Sequence, residues 1–385
     1  MIGRQRSAVA VAFLAFGIGA GTVIPRLPAL KEHLRLTDGQ VGVALLGFSL
    51  GGISGALLSR LVIRRDSRLF ARLSVIALCA TLVGPGLAAN FGELMASFYL
   101  IGCCWGFLDV LANAQGAQLE REEGRPLING FHGFWSLGAV IGSAIAGAAA
   151  YLGIAPLPQF AAVGFVVAVV SFWFLRNLPV YAEPPASTAG VALTMAVIAV
   201  CVMCFTGVIA EGGTADWSPL FLRELSHASP GLAAAGYTGF SLAATAVRFR
   251  ADLLTARTSP RIVARIGAVV AVSGLVLLIA SPALPTALLG FALVGVGTAV
   301  TLPLAFAAGA NLSPTGTPLA LVLASTYAGT IAGPPAIGAL ADHLGLRAAM
   351  AIPLLAALVL LLLAGRLRLP HASPQMKRIT ASIPR

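Results

Sequence analysis

Residues 138–153 read GAVIGSAIAGAAAYLG, and residues 329–345 read GTIAGPPAIGALADHLG. In the first stretch Gly138, Gly142, Gly147 and Gly153 stand at offsets of 0, 4, 9 and 15; in the second Gly329, Gly333, Gly338 and Gly345 stand at 0, 4, 9 and 16. At the same shift of about 191 residues, Gly21 and Pro28 fall on Gly212 and Pro219, and the basic stretch Arg60 to Arg72 falls near Arg257 to Arg265. The chain therefore reads as two copies of one unit. Small residues recurring on one helix face let two helix backbones approach closely, so the glycines are read as packing positions and not as ligand contacts.

Composition says what the repeated unit is made of. Of 385 residues, 58% are hydrophobic and 10% charged, against roughly 25% charged in a soluble domain, so the apolar surface must face lipid. Apolar stretches of about 20 residues, long enough to cross a ~30 Å hydrocarbon core, recur near 7–30, 39–61, 70–89, 93–117, 128–151, 157–175, 194–222, 231–253, 262–281, 284–308, 318–340 and 346–367. The expectation is an all-α membrane protein of twelve transmembrane helices in two pseudo-symmetric six-helix bundles. Residues 1–175 form the N-terminal bundle, 176–193 a cytoplasmic linker, 194–368 the C-terminal bundle and 369–385 a basic cytoplasmic tail. The linker stretch RNLPVYAEPPASTAG breaks the helical pattern with proline and polar residues.

A net charge of +11 suits nucleic acid only if the basic residues form a face. With the N-terminus placed in the cytoplasm, the inner segments hold 20 Lys and Arg and the outer loops 5. The excess is thus a topology signal of the positive-inside kind, no nucleic-acid face remains, and both termini are expected in the cytoplasm of a cell with the protein in its inner membrane. Arg4 and Arg6 before an apolar run resemble a secretory signal, but the run is long and lacks a small-residue cleavage site before Pro25, so it reads as an uncleaved first span. Cys79, Cys103, Cys104, Cys201 and Cys204 all fall inside spans and read as small packing residues. The one Gly-x-Ser-x-Gly match, Gly47 to Gly51, lies inside an apolar span and not at a strand-to-helix turn, and no His-Glu-x-x-His or Gly-x-x-x-x-Gly-Lys motif is present, so neither hydrolysis nor nucleotide-driven pumping has residues to perform it. No enzyme activity, cofactor or metal is expected.

An ionisable side chain at bilayer depth costs at least ~2.5 kcal/mol on insertion scales and marks a functional site by default. Asp109 and Glu211 are the acids read well inside spans. Trp105, Asp109 and Asn113 share one helix face by i, i+4 spacing, which lays an aromatic plane, a titratable acid and an amide along a stripe that a polar solute can use. His132, with Trp135 and Ser136 on its face, adds an imidazole, a group whose unperturbed pKa near 6.5 suits proton relay or solute hydrogen bonding. Trp173 and Trp217 fall near span ends and read as interface anchors; Arg248 and Arg250 read as side chains snorkelling from the inner surface.

Twelve spans as six plus six, with basic loops after the second and eighth, resemble the major facilitator superfamily over nearly the whole chain. Its loop signature, Gly-x-x-x-Asp followed by basic residues, is present in altered form: Gly55 is followed by Ser59, Arg60, Arg64 and Arg65, and the second copy has Arg248 at the glycine position but keeps Asp252 with Arg257. The resemblance implies a conformational latch at Asp252, Arg257, Arg60 and Arg64. Asp109-Val-Leu-Ala-Asn113, followed by Leu127 to Gly138, is similar to the fucose permease branch, which has Gln where His132 stands, and Glu211 to Trp217 looks like a group of uncharacterised bacterial members. Gly21 stands where that branch has a second functional acid, and by the repeat Glu211 falls opposite the neighbouring Ala20.

The function expected is secondary active transport of a small polar solute, with a sugar among the candidates, by alternating access. Asp109 and Glu211 are expected to couple protons, and Trp105, Asn113, His132 and Trp135 to contact the solute. The partners are protons, solute and lipid bilayer, and the chain is expected to work as a monomer. The rivals are a proton-coupled exporter of amphipathic compounds and a transporter-like sensor; for the sensor, the segment after Leu367 is short and basic.

Overall fold

The computed structural model describes residues 2–62, 66–124, 127–179, 194–251, 254, 258–311 and 317–365. The linker from residue 180 to 193 and the expected tail at 369–385 lie outside them. The described chain is helical throughout, with no strand, and a helix stands at every expected span. In the first half these are α1 (Ile2–Val23), continued past Pro25 by a 3-10 turn into α2 (Leu27–Leu34); α3 (Asp38–Val62); α4 (Ser67–Thr81) with α5 (Gly84–Leu87); α6 (Phe91–Glu123); α7 (Ile128–Tyr151); and α8 (Pro156–Phe174). The second half holds α9 (Met195–Glu224); α10 (Pro230–Arg248); α11 (Pro260–Ala280); α12 (Leu284–Thr298) with α13 (Thr301–Asn311); α14 (Thr317–Leu344); and α15 (Leu346–Ala349) with α16 (Ala351–Ala364).

Ten crossings are long and apolar enough to span a bilayer on composition alone. The two that fall short, α10 and α14, are the second-half helices seated against α7 and α3 of the first half. A helix that faces another bundle needs small residues for close approach more than it needs apolar surface for lipid, and this is why their hydropathy is lower.

The glycine repeat has a direct structural meaning. A methyl group on Gly142 would meet the Ile18 carbonyl of α1 at 2.5 Å, and one on Gly329 would meet the Phe205 carbonyl of α9 at 2.5 Å, so the first glycines of each set seat α7 on α1 and α14 on α9. The later pair works across the halves. A methyl on Gly147 would approach Gly231 O of α10 at 3.3 Å, and one on Gly338 would reach Asp38 O of α3 at 2.5 Å.

Prolines supply the polar joints. A proline inside a helix cannot donate to the carbonyl four residues back. Pro334 leaves Thr330 O in this position, and Ser49 Oγ of α3 donates to it across the halves at 2.9 Å. Pro219 does the same to Ala215 O, which takes the Ser218 hydroxyl at 2.7 Å. Pro303 follows the break between α12 and α13 and leaves Ala299 O, to which Arg248 Nε donates at 3.3 Å.

At the end of the bundle away from the chain termini, charged groups tie the halves together. Lys31 Nζ lies 2.6 Å from Asp38 Oδ1 of its own half and 2.6 Å from Glu224 Oε1 of the other. Arg223 Nε donates to Glu32 Oε1 at 3.0 Å, and Thr37 Oγ1 donates to Asp342 Oδ2 at 2.8 Å. At the terminus-bearing end, Arg6 pairs with Glu123 within the first half.

Candidate functional site

The α6 stripe faces the middle of the bundle. Asn113 Nδ2 donates to Asp109 Oδ1 at 2.7 Å and also to the Asp109 carbonyl at 2.9 Å, and its Oδ1 lies 3.2 Å from His132 Nε2 on α7. Asp109, Asn113 and His132 thus form one hydrogen-bonded chain from α6 to α7. An aromatic wall stands beside it: the Trp105 ring is 4.3 Å from Phe16 and 5.4 Å from Phe48, the Trp135 ring is 6.1 Å from Phe16, and Phe13 lies edge-on to the His132 ring at 5.1 Å.

Arg248, the last residue of α10, joins this wall to the second half. Its Nη2 lies 2.5 Å from Glu211 Oε1 on α9, its Nη1 donates to Ser136 Oγ on α7 at 2.6 Å, and its guanidinium sits 5.3 Å from the Trp135 ring centroid. A guanidinium over an indole face gains a cation–π attraction, and its planar fork holds three partners in fixed directions. Tyr237 of α10 and Asp216 of α9 lie within electrostatic reach of Glu211.

Most of these groups touch open space although they sit deep in the bundle. Trp105, Asp109, Asn113, His132, Trp135, Asp216 and Arg248 are half-buried and not sealed. Three polar atoms in this group of residues are themselves buried and have no hydrogen-bond partner among the described residues: Trp105 Nε1 and Trp135 Nε1, which donate, and Glu211 Oε2, which accepts. Native interiors leave few such atoms unpaired, and each one asks for an explanation.

The structure therefore brings together Trp105, Asp109, Asn113, His132, Trp135 and Glu211. Arg248 corrects the sequence reading: it turns inward to Glu211 and Ser136 and does not snorkel to the surface. Trp217 is fully buried and is no interface anchor, whereas Trp173 is 57% exposed at the end of α8. Asp216 was missed as an interior acid, since it falls in the last third of α9, where hydropathy alone sets a residue towards the rim. Of the expected latch, Arg60 is exposed near the end of α3; Arg64, Asp252 and Arg257 lie outside the described residues.

Known proteins share both sequence and fold. The sequence profile of the Major Facilitator Superfamily matches residues 9–316 and, overlapping, 219–383. The uncharacterised transporter y4wD of Sinorhizobium fredii is 34% identical over 351 residues, covering 88% of this chain and 92% of that one. Among solved structures, a bacterial homologue of the human lysosomal transporter Spinster, inward-facing and occupied, superposes with a TM-score of 0.73 at 16% identity over 95% of this chain and 97% of its own. The transporter FucP in its outward conformation gives a TM-score of 0.67 at 16% identity over 95% and 99%.

Proposed function

The chain belongs to the major facilitator superfamily and is a multi-pass membrane transporter, not an enzyme; from that premise we propose that it moves a small hydroxyl-bearing solute by alternating access, coupled to protons. The observation that carries this reading is the set of three unpartnered buried atoms, two indole N–H donors and one carboxylate oxygen. A hydroxyl group accepts from the first kind and donates to the second, and a solute with several hydroxyls does both at once. A solute carboxylate only accepts, so it leaves Glu211 Oε2 unmet. Trp105, Trp135, Asn113 and His132 are the solute contacts. Asp109 is the proton site, since a carboxyl that hydrogen-bonds an amide can exchange its proton without losing its place in the chain. Glu211, held by Arg248, is the second acid linked to coupling.

A thermal-shift screen of purified protein across polyols, sugars, organic acids and amphipathic toxicants tests the solute class, because a ligand that binds only the folded state raises the melting temperature as its concentration passes its Kd. Polyhydroxylated compounds are expected to stabilise, and Trp135→Phe to weaken them, because it keeps an aromatic ring and removes the donor. Stabilisation confined to amphipathic compounds would favour export of such compounds instead.

The orientation belongs to the same proposal: both termini face the cytoplasm, the membrane is the inner membrane, and the protein acts as a monomer. The Lys and Arg bias supports this placement. Cytoplasm-active reporter fusions are expected to work after residue 64, after 257 and at the C-terminus, and to be silent near 90 and 227. An active fusion at 90 overturns it.

A further inference from the structure

At the terminus-bearing end of the first half, the start of α1, the start of α4 and the 3-10 turn Leu175–Asn177 meet around an open cleft of about 390 Å³ lined by Arg4, Gln5, Arg68, Arg176 and Asn177. The described lining holds three guanidinium groups and no acid. The nearby acids are engaged elsewhere: Glu123 is paired with Arg6, and Asp66 caps α4 by accepting from Leu69 N at 3.0 Å. Arg68 Nε is buried without a partner among the described residues. A positive-inside bias requires basic residues on this side of the membrane but does not require three of them to converge with a donor turned inward. Like charges drawn together repel unless an anion sits among them.

The surroundings say which anion. From the cleft, Leu69, Leu73 and Ile76 run along the outer face of α4 at 45%, 50% and 41% exposure, an apolar stripe one helix turn apart at each step. Phe172 and Trp173 flank it at the end of α8, 54% and 57% exposed, with the Arg72 guanidinium 5.4 Å over the first ring and Arg176 5.2 Å over the second. Cations stacked on exposed aromatic rings mark the depth of the lipid headgroups. An anionic head seated in the cleft would thus continue into an acyl chain lying on α4. The geometry points to a headgroup site for an anionic phospholipid in this cleft, in the leaflet at the terminus-bearing end. The site is separate from the central solute site and does not depend on which solute is carried.

The test titrates delipidated full-length protein with phosphatidylglycerol, phosphatidylcholine, glycerol 3-phosphate and inorganic phosphate, reading bound lipid by native mass spectrometry and stability by thermal shift. Phosphatidylglycerol is expected to be retained and to stabilise, and phosphatidylcholine is not. Each arginine near an anionic surface contributes about a fivefold change in affinity, so Arg4→Gln with Arg68→Gln and Arg176→Gln together should weaken phosphatidylglycerol about a hundredfold. The control changes Arg121, Arg250 and Arg265 to Gln and should keep it. Arg176→Gln alone, at an exposed position, gives a measurable fivefold step where the triple variant fails to fold. Equal retention of both lipids, or equal loss in the control, overturns the site. Equal stabilisation by glycerol 3-phosphate or phosphate also overturns it, leaving a free-anion site in place of a lipid one.

Discussion

Asp109→Asn is expected to abolish gradient-driven accumulation in proteoliposomes while leaving solute exchange between the two sides intact. With one proton moved per solute, each pH unit of gradient supplies about 1.4 kcal/mol, or about tenfold accumulation. A gradient of two units should therefore concentrate the solute about a hundredfold in the unaltered protein, and the variant should fall to a ratio near one. Exchange survives because asparagine keeps an oxygen to accept from Asn113 Nδ2, the 2.7 Å bond that orders the stripe, but no longer cycles a charge. Asn113→Ala should behave differently, weakening exchange and accumulation alike, since it cuts both the Asp109 and His132 ends of the chain. Glu211→Gln separates the two acids. If Glu211 shares the coupling, the pH dependence of accumulation shifts in this variant. Full accumulation by Asp109→Asn would remove it from coupling, and loss only in Glu211→Gln would place the proton site in the second half.

The second large effect is at the end away from the termini. Lys31→Glu removes a cation that touches Asp38 and Glu224 and sets an acid between them. Exposed ion pairs contribute about 0.2–1 kcal/mol each; the Lys31 and Asp38 side chains are 17% and 13% exposed, which favours the upper end of that range. Losing both contacts comes to about 2 kcal/mol, a shift of about thirtyfold in the balance between a closed and an open mouth. Spin labels at the exposed His33 and His227, one in each half, should report a longer separation. Adding Glu224→Lys should recover much of the short distance by restoring one pair with reversed signs. Asp252→Asn, which weakens the proposed latch at the other end, should act in the opposite direction and shorten it. An unchanged distance in Lys31→Glu would mean that these charges do not hold the mouth shut.

The bundle was legible from the sequence because lipid imposes one requirement on every span, and period, length and charge bias all report it. The glycine repeat carried further, since it identified which faces of α7 and α14 approach a backbone. The central site was legible in its first half, where Trp105, Asp109 and Asn113 recur at helical spacing on one element. It was not legible where the partners come from separate elements. Arg248 looked like a surface residue because it lies near the inner end of its apolar stretch, whereas Glu211 of α9, Ser136 of α7 and the carbonyl left by Pro303, all on other elements, draw the side chain inward. Trp217 was misplaced and Asp216 missed for a related reason. Hydropathy measures distance along the helix, but the last turns of α9 are surrounded by other helices, so Trp217, Leu220, Phe221 and Leu222 are all fully buried near its end.

Glu32 and Arg223 are 191 residues apart, the shift of the internal repeat, so they are one position in two copies. Equivalent positions can touch only where the axis that relates the copies passes between them. In an ancestor made of two identical chains, that spot would have set Glu against Glu or Arg against Arg. Opposite charges become possible there only once the two copies are encoded separately and can mutate independently. The pair is therefore younger than the divergence of the two copies, and a homodimeric forebear would have had to close the same mouth without it.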